Sequence, residues 1–431
     1  MNYQETLDYL YSKLPLFSRV GAAAYKPSLD NTISLLRVCG NPETKFPSIH
    51  VAGTNGKGSV SHMLAAILHT AGFRTGLYTS PHLHDFRERI RINGEMIPEQ
   101  AVIDFTANLA PAVEEIEPSF FELTVAMAFH HFAEQQVDIA VIETGLGGRL
   151  DSTNVITPLV SVITNIGWDH MNLLGDSLEK IAREKAGIIK PGVPVVIGES
   201  IPETKPVFEV AAKAANAPIH YPSTHRAVEE WYWENDMLIV AVASTHEPDH
   251  EIYHLDLGGI YQSRNLLTVL ETISQLQQQG WAISKQHTRK ALANVKKLTG
   301  LHGRWDIIHR QPLVVLDVAH NEAGITVLMQ QLETTPHEHL HIVIGMVADK
   351  DIDKVLALLP QTAAYYFTNA AIPRALPGVA LQEKAARFGL SGETYANVNE
   401  ALQAARQRAS SKDLVLVCGS VFVVGEVMVN T

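Results

Sequence analysis

The sequence predicts an α/β protein: a P-loop-type nucleotide-binding domain around a central, mostly parallel sheet, with a smaller α/β domain after it. Three observations lead there. Short apolar runs that read as buried strands alternate with helically spaced apolar residues along most of the chain. That alternation implies parallel strands with helices on both faces. The apolar run around Ile49 and Val51 opens through Gly53-Thr54-Asn55-Gly56-Lys57-Gly58-Ser59 into a helical pattern over 60–70, the strand–turn–helix order of a phosphate-binding loop. Later buried strands stop on groups that carry chemistry, at Glu143, at Asp169-His170 and at Asp317.

The glycine-rich turn organises the rest. Glycines let the backbone approach an anion, successive N–H groups point at it, and the helix N-terminus adds partial positive charge. Lys57 supplies a full charge and Ser59 a hydroxyl. The textual P-loop pattern asks for glycine at 51 and a hydroxyl directly after the lysine. This chain has Val51 and Gly58 there. An ordinary glycine-rich turn is the plainer alternative; Gly-Lys at a strand-to-helix junction favours nucleotide binding over it.

Composition narrows the function classes. The chain has 431 residues, 46% hydrophobic and 19% charged, which is globular and long enough for two cores. Its net charge of −12 gives no general basic footprint for nucleic acid or an anionic membrane. An anionic substrate therefore needs a local basic pocket. Cys39 and Cys418, the two cysteines, read as reduced thiols of a cytoplasmic protein. The N-terminus lacks a basic-then-apolar signal pattern. The most apolar stretch, 414–429, is interrupted by Gly419, Ser420, Gly425 and Glu426. It reads as a buried strand entering a helix, not a membrane span.

In chain order, helices are expected over 2–14 and 30–40, ahead of the loop. A strand over 75–78 opens onto Thr79-Ser80-Pro81-His82, where Ser80 is a ligand contact or a turn residue. Alternating apolar residues over 86–92 read as a strand, with Asn93-Gly94 its turn. Helices follow over 99–115 and 120–136; Phe120 and Phe121 beside Glu122 are either core or a stacking site for a flat heterocycle. The strand over 137–143 ends on Glu143, a surface acid or a Mg²⁺ ligand. The strand over 158–166 leads to Asp169-His170, and a mostly helical stretch over 177–190 carries Lys180, Lys185 and Lys190. A strand over 194–197 comes next. Antiparallel strands are expected over 230–243 and 251–257, then helices over 266–276 and 288–297. A second α/β unit starts near 298, with strands over 313–317, 340–346, 363–368 and 414–418. Its helices are expected over 352–359, 379–388 and 399–409. The domains are accordingly set at 1–297 and 298–431.

Taken together, these stretches resemble the Mur ligase superfamily, above all its folylpolyglutamate synthase and dihydrofolate synthase branch. The carrying motifs run nearly the whole chain, in order. They are Gly53 to Ser59, Tyr78 to Leu83, Glu88-Arg89-Ile90, Phe121-Glu122-Leu123-Thr124, and the run from Glu143 to Asn154. Asp169-His170, Glu184 to Lys190, Gln262 with Asn265, Gly303-Arg304, Asp317 with Ala319-His320-Asn321, and Gly419-Ser420 complete the set. The loop's departure from the textual P-loop is itself the form this family has.

The resemblance implies a Rossmann-like C-terminal domain and an ATP-dependent amide ligase of the bifunctional bacterial type, towards which Arg149 and the Phe120-Phe121-Glu122 patch lean. A pteroate or folate carboxylate is phosphorylated, and the acyl phosphate is attacked by the amine of L-glutamate. It implies that Gly53, Thr54, Asn55, Gly56, Lys57, Gly58, Ser59, Asn265, Arg304 and Asp317 contact ATP. Ser80, Glu143 and His170 match the ligands of two Mg²⁺ ions; a monovalent cation is a further candidate cofactor. Lys57, His170 and Lys185 are the implied catalytic residues, Lys185 as a carbamylated lysine. Ser119, Phe120, Phe121, Glu122, Leu150, Asp151 and Ser152 match the pterin side, and His320 and Ser420 the glutamate side. The implied partners are small molecules: dihydropteroate, folates, L-glutamate and ATP, with no nucleic acid and no membrane, in a cytoplasmic monomer.

Three rivals are weaker. A peptidoglycan Mur ligase carries an extra domain before the loop, where this chain has two short helical patterns. A regulatory GTPase needs a guanine-reading Asn-Lys-x-Asp run, which this sequence lacks. A non-catalytic relative would be expected to lose Lys57, Glu143, His170 or Lys185, and all four are present. The resemblance also implies ATP held between the two domains, with closure required for turnover. Arg304→Ala is then expected to slow phosphate release with ATP still bound by the first domain; an unchanged rate in a phosphate assay would count against a bridging Arg304.

Overall fold

A strand covered on both faces must be apolar at nearly every position, and all five residues of Ser48–Ala52 (β1) are buried in the computed structural model. The structure describes every residue except 17–20, 22–25, 246, 349 and 429–431, so the end of the expected 414–429 stretch lies outside the described residues. The chain divides into two compact units. One is Met1–Asp256 with Gln262–Leu301; the other is Leu257–Tyr261 with His302–Thr431.

In the first unit, β1 is joined by Thr75–Tyr78 (β2), Ile90–Ile92 (β3), Glu95–Met96 (β4), Ile139–Glu143 (β5), Val160–Ile163 (β6), Val195–Ile197 (β7) and Ile219–His220 (β8). They form one sheet in the order β4-β3-β2-β5-β1-β6-β7-β8. All its pairings are parallel except β2–β3 and β3–β4. From β1 the chain moves past β5 to β2; from β5 it crosses β1 to β6. The loops after β1 and β5 therefore leave in opposite directions, and such a switch point opens a crevice at the C-terminal ends of the strands.

The helix Lys57–Thr70 is buried at every position from Ser59 to Leu68. Strands β1, β2 and β5 cover one side of it, and the helices Gln262–Gln278, Lys285–Leu292 and Val295–Thr299 cover the other. The opposite face of the sheet packs Tyr78, Ala140 and Ile142 against Phe129, Phe132 and Leu123 of the helix Phe120–Glu134. A third cluster joins Ile163, Val195 and Ile197 to Phe208 and Ala182.

A separate antiparallel sheet is made by Arg226–Glu234 (β9), Met237–Ser244 (β10) and Glu247–Leu255 (β11), in the order β11-β10-β9. The second unit holds Asp306–Arg310 (β12), Leu313–Leu316 (β13), Leu340–Ile344 (β14), Ala364–Phe367 (β15), Gly392–Thr394 (β16) and Leu414–Cys418 (β17). Their order is β12-β13-β17-β14-β15-β16, with only the β12–β13 pairing antiparallel. Val315, Ile342, Ile344 and Leu416 meet Leu328, Leu381 and Ala385 in its core.

Three expectations are corrected. The stretch 86–92 is a strand only over its last three residues; Phe86–Arg89 is a 3₁₀ turn. The Glu88 carboxylate accepts the N–H groups of Leu83, His84 and Asp85 at 2.8 to 3.0 Å. Such local side-chain-to-backbone bonds compete with a ladder. The expected strand over 230–243 is a hairpin, because Asn235 and Asp236 both take positive φ, 48° and 66°, the conformation of a tight two-residue β-turn. The expected helix over 288–297 is two, Lys285–Leu292 and Val295–Thr299, parted at Asn294 (φ −143°). Strand β12 was not foreseen, since its run of Asp306, Ile307, Ile308, His309 and Arg310 lacks strict alternation.

Phe132 is fully buried, edge-on to Phe46 at 5.8 Å, and lies against the position where a Cβ on Gly76 would stand. Phe132→Ala is expected to cost about 3–5 kcal/mol, read as a lower urea midpoint for the first unit.

Candidate active site

Two glycines shape the loop after β1. A Cβ on Gly53 (φ +151°) would stand 1.9 Å from Thr164 Oγ1, and one on Gly56 (φ +81°) 2.5 Å from Asn265 Oδ1. The loop beyond β6 holds this one in shape. Asn165 takes the Thr54 N–H on its carbonyl (3.0 Å) and the Asn55 N–H on its side chain (2.9 Å). Thr164 Oγ1 donates to the Asn55 carbonyl, and the Gly167 N–H donates to Thr54 Oγ1 at 2.9 Å. The helix then starts at Lys57 with Gly56 as N-cap and no side-chain cap. Its first-turn N–H groups, including those of Gly58 and Ser59, are left for an anion. Lys57 Nζ donates to the Gly53 and Thr54 carbonyls at 3.1 and 3.2 Å.

Lys185 comes to the same carbonyl. The helix Leu178–Ala186 is capped by Ser177, whose Oγ accepts the Lys180 N–H. It carries Lys185, 4% exposed, with Nζ 2.8 Å from the Gly53 oxygen. Burial first, and then the Lys57 charge, lower the Lys185 pKa to about 7, against the opposing pull of Asp169 and Asp151. Close packing fixes the approach: a Cβ on Gly187 would stand 2.4 Å from Arg149 Cα, and one on Gly148 within 2.9 Å of the Glu184 and Lys185 carbonyls. Of the three lysines on this stretch, Lys180 pairs with Asp176 at the surface and Lys190 bonds the Asn154 carbonyl.

Glu143 ends β5 and is buried, its Oε2 accepting the Ser80 N–H at 3.2 Å. Ser80 itself follows β2, so tips of neighbouring strands bring these two together. His170 stands on the loop beyond β6 with a left-handed backbone (φ +49°), and its N–H bonds Asp169 Oδ1 at 2.9 Å.

The pterin-side residues divide by burial. Ser119 and Glu122 form a reciprocal cap: Glu122 Oε2 accepts the Ser119 N–H at 2.6 Å, and Ser119 Oγ the Glu122 N–H. Phe120 is core, packed between Tyr11, Phe86 and the Arg89 guanidinium. Phe121 is half-buried beside Tyr78, over Gly145, where a Cβ would meet its ring at 2.5 Å. Asp151 is buried and fully engaged. Its Oδ2 accepts the N–H groups of Gly145 (2.9 Å) and Leu146 (2.8 Å), and Oδ1 that of Thr153 (3.0 Å). Burial raises its pKa despite these bonds. Ser152 is buried in the turn Asp151 caps, and Leu150 is half-buried. Phe121 and Leu150 are thus the members of this set with surface to offer.

In the second unit Asp317 follows β13. Its Oδ2 accepts from Tyr261 Oη (2.7 Å) and the Trp305 N–H (2.9 Å), and Oδ1 from the Ala319 N–H (2.9 Å). Burial raises the Asp317 pKa, and the Tyr261 and backbone bonds pull against it. Arg304 is half-buried, with Nη1 near the His302 and Gly303 carbonyls. His320 Nδ1 lies 2.9 Å from the Val318 carbonyl, and Ser420 Oγ accepts the Phe422 N–H. Gly419 (φ +100°) brings β17 against Gly345, where a Cβ would stand 2.7 Å from the Gly345 carbonyl. The Gly419 N–H bonds the Ala319 carbonyl.

Three residues that hold this arrangement, Thr164, Asn165 and Tyr261, carried no signal of it in the sequence, and Gln262 carried none of its role. Thr164 and Asn165 ended a strand without being charged. Gln262 stood in a motif, but its bond to Ser59 across 203 positions has no local signature.

The chain matches the Mur ligase middle domain over residues 51–273 and the Mur ligase glutamate ligase domain over residues 303–421. It is 36% identical over 400 residues to a folylpolyglutamate synthase of Lacticaseibacillus casei, covering 88% of each chain. It is 32% identical to a dihydrofolate synthase/folylpolyglutamate synthase of Bacillus subtilis, covering 99% of this chain and 98% of that one. Among solved structures, Escherichia coli FolC in complex with DHPP and ADP superposes with a TM-score of 0.84 at 30% identity, over 99% of this chain and 96% of that one.

Asp151→Ala would leave the Gly145, Leu146 and Thr153 N–H groups without their acceptor. The expected loss is about 3 kcal/mol of stability, measurable by urea unfolding, with catalysis impaired as the loop after β5 loosens.

Proposed function

The chain belongs to the Mur ligase family, in the folylpolyglutamate synthase and dihydrofolate synthase branch, and from that premise we propose that it joins L-glutamate by an amide bond to dihydropteroate and to folyl-glutamates at the expense of ATP. The observation that carries this reading is the convergence of Lys57 and Lys185 on the Gly53 carbonyl, beside an uncapped helix N-terminus. Lys57 and the N–H groups of that terminus make a cradle that suits a triphosphate.

The reaction runs in two steps. A carboxylate oxygen of the pteroate or folate attacks the γ-phosphorus and ADP leaves, giving an acyl phosphate. The glutamate amine nitrogen then attacks the acyl carbon, loses a proton and expels phosphate. Both partners of the first step are anions, so offsetting their repulsion is the main electrostatic task. Lys57 and the loop N–H groups hold the triphosphate; the half-buried faces of Phe121 and Leu150 are open to the flat pterin. The family resemblance assigns Arg304 and Asp317 to the nucleotide, and His320 and Ser420 to glutamate.

Mg²⁺ fits the donors at the strand tips. Among the described residues, no three His, Cys, Asp or Glu side chains are grouped to hold a metal. Magnesium takes one or two carboxylates and completes its shell with phosphate oxygens and water, and buried Glu143 at the end of β5 is such a carboxylate. Ser80, Glu143 and His170 would hold the two ions, and there they supply charge neutralisation to the triphosphate. Lys185 is carbamylated in this reading: an amine whose pKa is lowered to about 7 is substantially neutral near neutral pH, and only the neutral amine takes up CO₂. The product is an anion that no longer repels Lys57 or a metal.

We place the enzyme in the cytoplasm as a monomer acting on small molecules, without nucleic acid or membrane. The acidic net charge and the free cysteines Cys39 and Cys418 support this. Among the described residues, no helix is long and apolar enough to cross a membrane.

Purified protein given ATP, Mg²⁺, glutamate and dihydropteroate should release phosphate only when both acceptor and glutamate are present, with tetrahydrofolate as a competing acceptor. Lys57→Ala should lower that release about 100-fold or more. Release without either co-substrate, or an active Lys57→Ala, would sink the ligase reading. Because the Lys185 amine is protonated below about 7, activation by added bicarbonate should grow from about pH 6 to about pH 8 and be absent in Lys185→Met.

A further inference from the structure

Gln262 is fully buried in the first turn of the helix Gln262–Gln278, between two residues of the nucleotide loop's surroundings. Its Nε2 donates to Ser59 Oγ at 3.1 Å, and its Oε1 accepts from Asn265 Nδ2 at 2.8 Å. Ser59 is 1% exposed and Asn265 7%. Among the described residues nothing accepts from the Ser59 hydroxyl, and nothing donates to Asn265 Oδ1. That oxygen instead faces the loop, 2.5 Å from where a Cβ on Gly56 would stand.

The three side chains can bond in only two senses. In the observed one, Ser59 keeps its O–H and Asn265 presents a carbonyl. In the reverse, Ser59 would donate to Gln262, Gln262 would donate to Asn265 Oδ1, and Asn265 would present its NH₂. A single amide cannot mix them, because one end of Gln262 only donates and the other only accepts. The oxygens of an ionised triphosphate only accept, so a triphosphate on the loop needs the Ser59 O–H. Binding phosphate thereby fixes what Asn265 offers.

We propose that Gln262 is a positioning residue which couples Ser59 to Asn265, so that the nucleotide meets a hydroxyl donor at its phosphates and a carbonyl acceptor at a second point. The ligand class this selects is a nucleoside triphosphate carrying a hydrogen-bond donor, an exocyclic amine or a ribose hydroxyl, opposite Asn265 Oδ1. The proposal rests on the assignment of the Gly53–Ser59 loop to ATP. It adds a residue that acts only through the other two.

The test is ATP binding by calorimetry and steady-state kinetics on Gln262→Met, Gln262→Glu and Ser59→Ala. Gln262→Met keeps the volume and loses both bonds. Gln262→Glu keeps the acceptor for Asn265 and takes the Ser59 O–H for itself. Both should weaken ATP binding and raise its KM about tenfold or more, with kcat at saturating ATP changed far less and the KM for glutamate unmoved. Ser59→Ala combined with Gln262→Met should cost little more than either alone, since the two act as one unit. If either Gln262 variant binds ATP within twofold of the wild type, or if the double variant shows additive losses, the coupling is wrong. Should Gln262→Met fail to fold, Gln262→Glu and Ser59→Ala carry the same comparison. A wild type that binds no ATP would instead overturn the nucleotide assignment beneath it.

Discussion

Two ammonium groups share one carbonyl oxygen in this protein, and the rest of the first unit is arranged around that constraint. Lys57 and Lys185 reach the Gly53 oxygen from different helices, at 3.1 and 2.8 Å. Two nitrogens that close to one oxygen can be no more than about 6 Å apart. At an effective dielectric of about 20, unit charges at that distance repel by on the order of 3 kcal/mol. The pair is tolerable because Lys185 sheds its proton readily, with a pKa lowered to about 7. Carbamylation of Lys185, as proposed above, would turn that repulsion into attraction to Lys57.

Close backbone packing makes the convergence achievable. Gly53 and Gly56 let Thr164 and Asn265 come where side chains would stand. Gly148 and Gly187 let the loop after β5 lie on the end of the helix that carries Lys185. Asp151 finishes that loop by collecting three backbone N–H groups. A buried carboxylate with its lone pairs committed in this way serves to hold a loop still, and the loop in turn keeps Glu143 and Lys185 in register with β1. The second unit repeats the device at Asp317, which gathers Tyr261, Trp305 and Ala319.

Much of this was legible in the chain. The alternation of apolar runs and helical patterns pointed to the parallel sheets, because strands buried on both faces are apolar at most positions. The position of the phosphate loop, of Glu143 at a strand tip and of the Asn93-Gly94 turn all follow from local rules of backbone and side-chain size. The misreadings were local too. At 86–92 the capping carboxylate of Glu88 outweighed an alternating pattern, and at 235–236 two residues able to adopt positive φ turned one strand into two.

What the sequence by itself determined was therefore the order of the elements and the residues standing at their ends, since propensity, periodicity and turn chemistry act over a few positions. Only the tertiary structure decided which of those residues work together. Phe120 went to the core while its neighbour Phe121 kept a free face. Of Lys180, Lys185 and Lys190, the middle one was drawn inside to Gly53, 132 positions away. Contacts of that kind depend on burial and on the parallel register of distant strands, and neither is encoded by any short run of residues.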